Sequence, residues 1–466
     1  MRALACGAFA LLVGGSAHAG TFHVAATGSD SAAGTEAAPW KTIQHAADRV
    51  AAGDTVTVHA GGYVGFSIET SGTSAAPIAF VAEGAVMIDG AATAGRDAIA
   101  VDGASYIRIE GFTITGAQRA GVSALECDHV TVRNNRIDQS GTWGVFSGFC
   151  DDLVVENNEI SRSAAQHGIY ASNSADRPVI RGNTIYGNAM AGIHINGDGS
   201  QGGDGVISDA IVEGNIIYDN GRSGGSGINC DGVTNSTIRN NLLDGNHASG
   251  ISLYAIDGSA PSTGNKVINN TIRMASDGRW AVNIQDGSGG NTLRNNILLH
   301  ASPNRGAVDI CVACVVGTVS DHNAVVGKFS IDGTVVDLAG WRTRTGDAGS
   351  FVATDAELFT ASDDLTLRAG SPAIDAGMPE DAPAVDLAGT PRPQGASIDV
   401  GAYEHCEGEC GPGPGDGDGD GDPRDNDNDP GADEAGGCAT SNPSGLAAIG
   451  LGLVGLVLLR RRRGRG

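Results

Sequence analysis

A short phrase of apolar and polar positions recurs along the middle of the chain. It consists of an apolar residue, one spacer, a pair that is usually Asn-Asn or Gly-Asn, and a second apolar residue two positions further on, as in Val132, Asn134-Asn135 and Ile137. The second members of successive pairs lie 23 to 32 residues apart, at Phe112, Asn135, Asn158, Asn183, Asn215, Asn241, Asn270 and Asn296. Self-similarity at such a period indicates a solenoid in which each repeat forms one coil.

A second phrase alternates with the first and begins at a small residue, namely Gly121, Gly144, Gly168, Gly192, Gly227, Gly250 or Ala281. The residues one and three positions later are mostly apolar, and those two and four positions later are mostly polar. Alternation with period two indicates a strand with one inward and one outward face. No helix fits between phrases this close together, which excludes a βαβ fold. The pattern predicts an all-β chain that forms a single parallel β-helix of about ten coils.

The repeated Asn has a structural interpretation. An inward Asn at the same corner of every coil is able to bond to the backbone and to the Asn above and below it, and Asn also tolerates the left-handed turn conformation. We therefore do not count these residues among the candidate site residues.

The two ends of the chain predict export and anchoring. Met1 and Arg2 precede an apolar stretch and an A-x-A site that ends at Ala19, so residues 1–19 are predicted to be a signal peptide. Residues 406–437 are rich in Gly, Asp and Pro, carry much of the net charge of −25, and are predicted to be a solvated tether. Within residues 438–466 an apolar run ends in four arginines, which is typical of a stop-transfer segment. We expect an exported, surface-anchored protein whose β-helix covers residues 20–405.

Two segments resemble known families of β-helix proteins. The phrase from Thr21 to Ile43, followed by Gly53-Asp54, resembles the start of the pectate-lyase-like right-handed parallel β-helix superfamily. Residues 371–404 resemble the closing segment of bacterial surface β-helix proteins of the choice-of-anchor type. Thr42 to Val50 also fits a short amphipathic helix that would cap the open core. The resemblance implies a right-handed solenoid that acts on polysaccharide.

The C-terminal end resembles a sorting signal. Gly437-Cys438, a short apolar segment and an arginine cluster resemble the myxobacterial C-terminal sorting tag. In that family the Cys is the point of processing and anchoring, which implies this role for Cys438 and an envelope membrane as a partner.

The cysteines of an exported protein are free to form disulfides. Cys127 and Cys150 each lie six residues after the start of a Gly phrase, so they are predicted to stack and to form a disulfide. Cys406 and Cys410 are predicted to bridge below the last coil. Cys311 and Cys314 form a lone C-x-x-C, which is either a local disulfide or two core thiols, and Cys230 falls at an inward position.

Stacking of the Gly-phrase strands predicts a polar stripe on the outer surface. One column contains Tyr170, His194, Asn229, Ser252 and Asn283, and the column beside it contains Ser172, Asn196, Asp231, Tyr254 and Gln285. His167 precedes one of the strands, and a Gly-rich loop at 197–205 is predicted to bulge nearby. Loops on a rigid scaffold often carry function. We take His167, Tyr170, Asn196, Asn229, Asn283 and Gln285 as candidate substrate-binding residues.

The first candidate chemistry is β-elimination of a uronate polysaccharide, which the superfamily resemblance implies. Known lyases of that superfamily often use Lys or Arg as the base and a bound Ca²⁺, but Lys266 is the only lysine near this stripe. His194 and Tyr254 are candidates for base or acid. Carboxylates that are candidates for holding Ca²⁺ are Asp198, Asp204, Asp231 and Asp257.

Two other functions remain open. Asn229-Cys230-Asp231 has the N-x-D form of polygalacturonases, but hydrolysis needs two carboxylates and only Asp231 is well placed, while the other motifs of that family are missing. The third possibility is a non-catalytic, glycan-binding surface rod, which the scarcity of lysine and the long tether favour. Nothing basic or rich in aromatic residues indicates nucleic-acid binding. We expect a monomer.

Overall fold

Three short strands form each coil, and the same strand of every coil pairs in parallel with the next. The structure is a computed structural model that describes residues 19–93 and 95–408. The register between strands follows the repeated Asn phrase: Ile137 pairs with Ile114 on one side and with Ile160 on the other. We call the strands before the Asn corner face 1, those after it face 2, and those of the Gly phrase face 3. Face 3 contains eleven stacked parallel strands, which confirms the β-helix and gives its coil number.

The strands of each face have the following bounds. The first two long strands, Thr55–Val64 and Ile78–Asp89, run across the corner and belong to faces 1 and 2, and Thr21–Val24 pairs with the former. Face 1 continues with Ile107–Glu110, Val130–Arg133, Val154–Glu156, Val179–Arg181, Ile211–Glu213, Thr237–Arg239, Lys266–Ile268, Thr292–Arg294 and Val319–Asp321. Face 2 continues with Thr113–Thr115, Arg136–Asp138, Glu159–Ser161, Thr184–Tyr186, Ile216–Tyr218, Leu242–Asp244, Thr271–Met274, Ile297–His300, Ala324–Val325 and Phe351–Val352.

Face 3 carries the predicted stripe. Its strands are Phe66–Ile68, Ile99–Asp102, Ala120–Asp128, Trp143–Asp151, Ile169–Ser172, Ile193–Asn196, Ser226–Asp231, Ser249–Tyr254, Val282–Ile284, Val308–Ile310 and Phe329–Ile331, with Thr334–Val336 added antiparallel. Two small pairs lie outside the faces: Ile207–Ser208 with Val233–Thr234, and Phe359–Ala361 with Asp364–Leu367. The helices are Ile43–Ala47, Leu338–Thr345 and Asp355–Leu358, with 3₁₀ turns at Gly90–Ala92, Gly199–Gln201 and Ala313–Val315.

The inner Asn of each corner forms a continuous buried chain of hydrogen bonds. Asn158 accepts from the amide and the side chain of Asn135 at 2.9 and 3.1 Å, and it donates to Val132 O and to Asn183 Oδ1 at 2.8 and 3.0 Å. The outer residue of the pair adopts the left-handed conformation, with φ of 55° at Asn157. The structural interpretation of these Asn residues is confirmed.

Helices close both ends of the hydrophobic core. The predicted cap helix is present but shorter, from Ile43 to Ala47, with Thr42 accepting the His45 amide as the N-cap. Its Gln44 side chain bonds to both backbone groups of Ser67 and so satisfies the edge of the first face 3 strand. At the other end, fully buried Trp341 stacks on Phe329 with ring centroids 4.6 Å apart.

Residues 371–405 form a closing segment that lies along the outside of the Asn corner instead of adding coils. The outer Asn of three successive coils donates to its backbone: Asn240 to Val385 O, Asn269 to Asp399 O and Asn295 to Met378 O, at 2.7 to 2.9 Å. Within the segment Arg392 and Glu404 form a fully buried ion pair at 2.7 Å. The stacked coils themselves end with Phe351–Val352.

The cysteines pair largely as predicted. Cys127 and Cys150 form a disulfide between adjacent face 3 strands, where they are register partners. Cys311 and Cys314 form a local disulfide, and Cys230 is a buried free thiol. Cys406 is disulfide-bonded, while its predicted partner Cys410 lies outside the described residues.

The predicted export and anchoring segments lie largely outside the described residues. These are the signal peptide apart from Ala19, the tether beyond residue 408, and the segment 438–466 with Cys438. Within residues 19–93 and 95–408, no helix combines the length and apolar character needed to cross a bilayer.

Candidate functional site

The predicted central column exists on face 3. Tyr170, His194, Asn229, Ser252 and Asn283 are register partners of one another on five successive strands. The column beside it differs from the expectation of an exposed stripe. Its members Ser172, Asn196 and Asp231 are almost fully buried, because the loops at 197–206 and 255–265 fold over it.

Aromatic rings extend the central column beyond the predicted residues. We call Trp143, Phe146, Tyr170 and His194 the aromatic ladder, since their ring centroids are successively 4.4, 5.6 and 5.0 Å apart and their planes are nearly parallel. The guanidinium of Arg119 lies over the first two rings. Phe146 occupies the column position one strand before Tyr170. The alternation of inward and outward residues in its strand would have placed it in the column.

His167 and His194 form a pair in one defined protonation pattern. His167 Nδ1 accepts the Ala191 amide at 3.1 Å, so the proton of its neutral ring resides on Nε2, which donates to His194 Nδ1 at 3.1 Å. His194 therefore carries its own proton on Nε2, a buried atom with no hydrogen-bond partner in the described part of the chain. Burial lowers the pKa of His167 to about 4, and burial together with His167 lowers the pKa of His194 well below its ordinary value. Both rings are neutral at pH 7, and His194 presents a hydrogen-bond donor.

Tyr254 lies two coils from His194 and is poised as a proton donor. Its hydroxyl accepts from Asn229 Nδ2 at 2.5 Å, which leaves the phenolic hydrogen available. Burial, followed by the nearby Asp231 carboxylate, raises the pKa of Tyr254. The phenol consequently stays protonated at neutral pH, which suits an acid and not a base.

The carboxylate of Asp231 is already engaged by the backbone. Its two oxygens accept from the amides of Ile256, Asp257 and Gly258 at 2.8 to 3.0 Å. This arrangement holds the loop after Tyr254 against face 3. The role that the geometry supports for Asp231, which the sequence offered as a catalytic carboxylate and a Ca²⁺ ligand, is to position this loop.

The four carboxylates predicted to hold Ca²⁺ do not form a metal-binding cluster within the described residues. Asp198 Oδ1 accepts from the amide and hydroxyl of Ser200, and exposed Asp204 accepts from the Val206 amide. Asp257 lies nearer to the column, and burial together with the carboxylates of Asp231 and Asp198 raises its pKa. Within the described residues no group of three or more His, Cys, Asp or Glu side chains is arranged for a metal ion. The residues present do not fit Ca²⁺, and we assign it no step.

Lys266 is not near the site. It lies on face 1, where its Nζ pairs with Asp381 of the closing segment at 2.6 Å. Its place in the sequence, close to the predicted stripe, was misleading because face 1 points away from face 3.

A polar cleft of about 460 Å³ lies at the C-terminal part of the central column and was missed by the sequence analysis. Asn283 and Gln285 of the predicted stripe line it, and Gln285 donates to Asn283 at 3.2 Å. The other residues that line it are Arg279, Trp280, Arg305, Asp309 and Asp332. Asp309 is the register partner of Asn283 and therefore continues the column.

Two family models match the chain. The right-handed β-helix region described as Pel9A-like matches residues 22–149, and a general right-handed β-helix region matches residues 162–328. The chain is a right-handed parallel β-helix. No curated protein sequence gives a significant match.

Solved structures share this fold at low sequence identity. The pectate lyase Pel9A is 18% identical with a TM-score of 0.55, and the alignment covers 83% of this chain and 96% of the lyase. XylC in complex with xylose is 13% identical with a TM-score of 0.51, over 82% of this chain and 98% of that protein. At such identities the likeness establishes the fold of the right-handed β-helix, and function has to be argued from the site.

Proposed function

We propose that this β-helix binds a polysaccharide along face 3 and cleaves it by β-elimination at a uronate unit. The observation that carries the proposal is the buried Nε2–H of His194, a donor without a partner in the described residues, at the end of the aromatic ladder. Aromatic faces combined with a few fixed polar groups are typical of ligand sites. Two proteins of the same fold, a pectate lyase and XylC with bound xylose, support a carbohydrate ligand.

The proposed proton transfers use the end of one strand and the loop that follows it, with residues of two other strands in supporting roles. β-Elimination removes the proton at C5 of the uronate, forms a double bond between C4 and C5, and breaks the bond from C4 to the glycosidic oxygen. Tyr254 gives its phenolic proton to that leaving oxygen. Asp257 takes the C5 proton, since its raised pKa makes its carboxylate a stronger base. His194 donates to a sugar oxygen, and Asp231 fixes the loop that carries Asp257.

A panel of uronate polymers tests the proposal. Polygalacturonate, alginate and a glucuronan are incubated with the protein, and the ultraviolet absorbance of the unsaturated product is followed with and without chelator. We expect absorbance to rise with at least one polymer and to be insensitive to chelator. Absence of unsaturated product from every polymer would reject β-elimination.

Hydrolysis is a second candidate that one contact favours. The loops of Asp198 and Asp257 touch, with the Gly199 amide donating to Asp257 O at 3.0 Å, and the carboxylate of Asp198 helps to raise the pKa of Asp257. Glycoside hydrolysis uses two carboxyl groups, one as the acid and one as the base or nucleophile. New reducing ends without ultraviolet absorbance would identify this reaction, and saturable binding without any product would identify a non-catalytic glycan-binding protein.

We also propose that the protein is exported and held at the cell surface. The two disulfides of the described region support an oxidising location, because such bonds are rare in the cytosol. Fractionation of cells that express the full chain, with mass spectrometry of the peptide that contains Cys438, tests both parts of this proposal. Recovery of the whole protein in the cytosol would reject it.

A further inference from the structure

Arg279 and Arg305 occupy the same position on two adjacent coils. Val282 pairs with Val308 in register, and the Ala281 amide donates to Gly306 O, so the parallel pairing extends toward the two arginines, each three residues before its valine. Both side chains are exposed and line the 460 Å³ cleft at the end of the central column. Like charges on neighbouring coils repel each other and do not favour folding. The structure thus places two cations in one cleft, where folding alone gains nothing from them.

Neither arginine is neutralised within the described residues. Both lack an ion pair, although Asp309 and Asp332 line the same cleft. Elsewhere on the rod, outward arginines pair with the carboxylate of a neighbouring coil, as Arg181 does with Glu156 at 2.7 Å and Arg239 with Glu213 at 2.7 Å. The unpaired guanidiniums of this cleft therefore differ from the arginines of faces 1 and 2 that pair across coils in this way.

The lining of the cleft indicates one chemical class of ligand. A planar guanidinium binds a carboxylate through two parallel hydrogen bonds. Asn283, Gln285 and the two aspartates supply donors and acceptors of the kind that bind sugar hydroxyls, and the nearly buried Trp280 supplies an aromatic wall. Because Asp309 and Asp332 line the same cleft without pairing with the arginines, the cleft suits one carboxylate among hydroxyl groups better than a densely charged sulfated chain.

We propose that Arg279 and Arg305 form a carboxylate-binding subsite for an acidic sugar unit, separate from the unit that reacts at Tyr254. The strand before Asn283 in the stack is the one that ends at Tyr254, and successive coils lie about 4.8 Å apart. The subsite therefore recognises charge one or two coils away from the bond that is cleaved. This inference rests on the proposed function, since it assigns specificity to the same groove.

Calorimetric titration of the full-length protein with defined hexasaccharides tests the subsite. The probes are hexamers of galacturonate, mannuronate and glucuronate, the same hexamers with each carboxyl reduced to an alcohol, and a sulfated neutral hexamer. Product formation is followed in the same samples. We expect carboxyl reduction to weaken binding of the preferred hexamer by at least about tenfold, as a charged hydrogen bond requires.

Variants assign this preference to the arginine pair. The double variant Arg279→Ala/Arg305→Ala should bind the acidic and the reduced hexamer equally, whereas Arg279→Lys/Arg305→Lys should keep part of the preference because it keeps the charge but not the planar geometry. Arg96→Ala is the matched control, since Arg96 is also exposed and without an ion pair in the described residues but lies near the other end of the rod. The control should retain the full preference.

The possible outcomes separate the two claims. An unchanged acid preference in the double alanine variant overturns the subsite while leaving the proposed function intact, and so does a preference for the sulfated hexamer. The subsite is likewise overturned if the unmodified protein binds a reduced hexamer as tightly as its acidic form. Failure of the unmodified protein to bind any hexamer overturns the proposed function, and the subsite with it.

Discussion

His167 Nε2 lies 3.1 Å from His194 Nδ1, and the two rings meet edge to face with their centroids 4.6 Å apart. The Ala191 amide fixes the far nitrogen of His167 as an acceptor, so the proton between the rings belongs to His167. A second proton on either ring would add a charge in a buried place. The pair is consequently a neutral unit that joins two neighbouring coils in the middle of face 3.

Stability should fall in mild acid because of this pair. The pKa of His167 decreases from 6.5 in the unfolded chain to about 4 in the folded protein, and that of His194 decreases as well. The folded state then binds fewer protons than the unfolded state between these values, so stability is lost as the pH falls through 6.5 toward 4. The shift of His167 corresponds to about 3 kcal/mol at the acid end of that window.

Urea unfolding at several pH values between about 7 and 4 measures this effect, and carboxylates with lowered pKa contribute in the same direction. The His167→Gln variant, which keeps a donor toward His194, isolates the histidine contribution. Its unfolding free energy should change less with pH than that of the unmodified protein. Parallel pH dependences of the two proteins would contradict the assignment.

Removal of one hydroxyl should abolish most of the proposed cleavage. Tyr254→Phe deletes the proton donor, and we expect the turnover number on the preferred polymer to fall by at least about 100-fold with a much smaller change in KM. Tyr218→Phe on face 2 is the matched control, because Tyr218 is a half-exposed stacked tyrosine away from the groove. Equal activities of the two variants would exclude Tyr254 as the acid.

The loop after Tyr254 should loosen when its carboxylate clamp is weakened. Asp231→Asn replaces one of the oxygens that hold the amides of residues 256–258, and we expect a loss of about 1–3 kcal/mol in unfolding free energy. Limited proteolysis should then cut within residues 255–265 earlier than in the unmodified protein. Asp363→Asn changes an exposed aspartate elsewhere and should leave both measurements unaltered; a similar loss there would show that the clamp is not the cause.

Two adjacent asparagines should lose very different amounts of stability on substitution. Asn158→Ala removes an amide that accepts two and donates two buried hydrogen bonds, so the unfolding free energy should fall by about 3 kcal/mol or more. Asn157→Gly should cost less than about 1 kcal/mol, because the exposed Asn157 has a left-handed φ that glycine adopts freely. Gly182 fills that place on the next coil with φ of 64°. Equal losses of unfolding free energy from both changes would contradict the assignment of the hydrogen bonds to Asn158 and of the left-handed turn to Asn157.

The periodic features of this fold could be predicted from sequence because each coil repeats the same local constraints. The spacing of the Asn pairs identified the coils, the alternation after each glycine identified face 3, and the equal offsets of Cys127 and Cys150 predicted their disulfide. In each case the position within the phrase determines which residues become neighbours, whatever the length of the intervening loop.

The parts of the site that escaped prediction depend on contacts that no repeat specifies. Alternation placed Asp231 on the outer surface, but a loop from the following coil covers it and takes up its carboxylate. The arginine pair was missed because the Gly phrase is not recognisable on the coil after Ala281. That coil has Ala307 where most coils have glycine, and Gly306 lies one position earlier. Only the pairing of Val282 with Val308 aligns Arg305 with Arg279. Lys266 was misplaced because closeness in sequence does not reveal which face a strand occupies.

The closing segment allows the number of coils to vary in the N-terminal half of the β-helix but not in the coils that it contacts. Upstream of Asn240, duplication of a whole coil would only lengthen the stack, as the same corner bonds would form again between the new neighbours. Between Asn240 and Asn295, an added coil would move one outer amide away from its carbonyl partner by about 4.8 Å, the distance between coils. We therefore expect natural variation and engineering to change the length of this protein in its N-terminal half, while the arginine cleft stays at a constant distance from the C-terminal end.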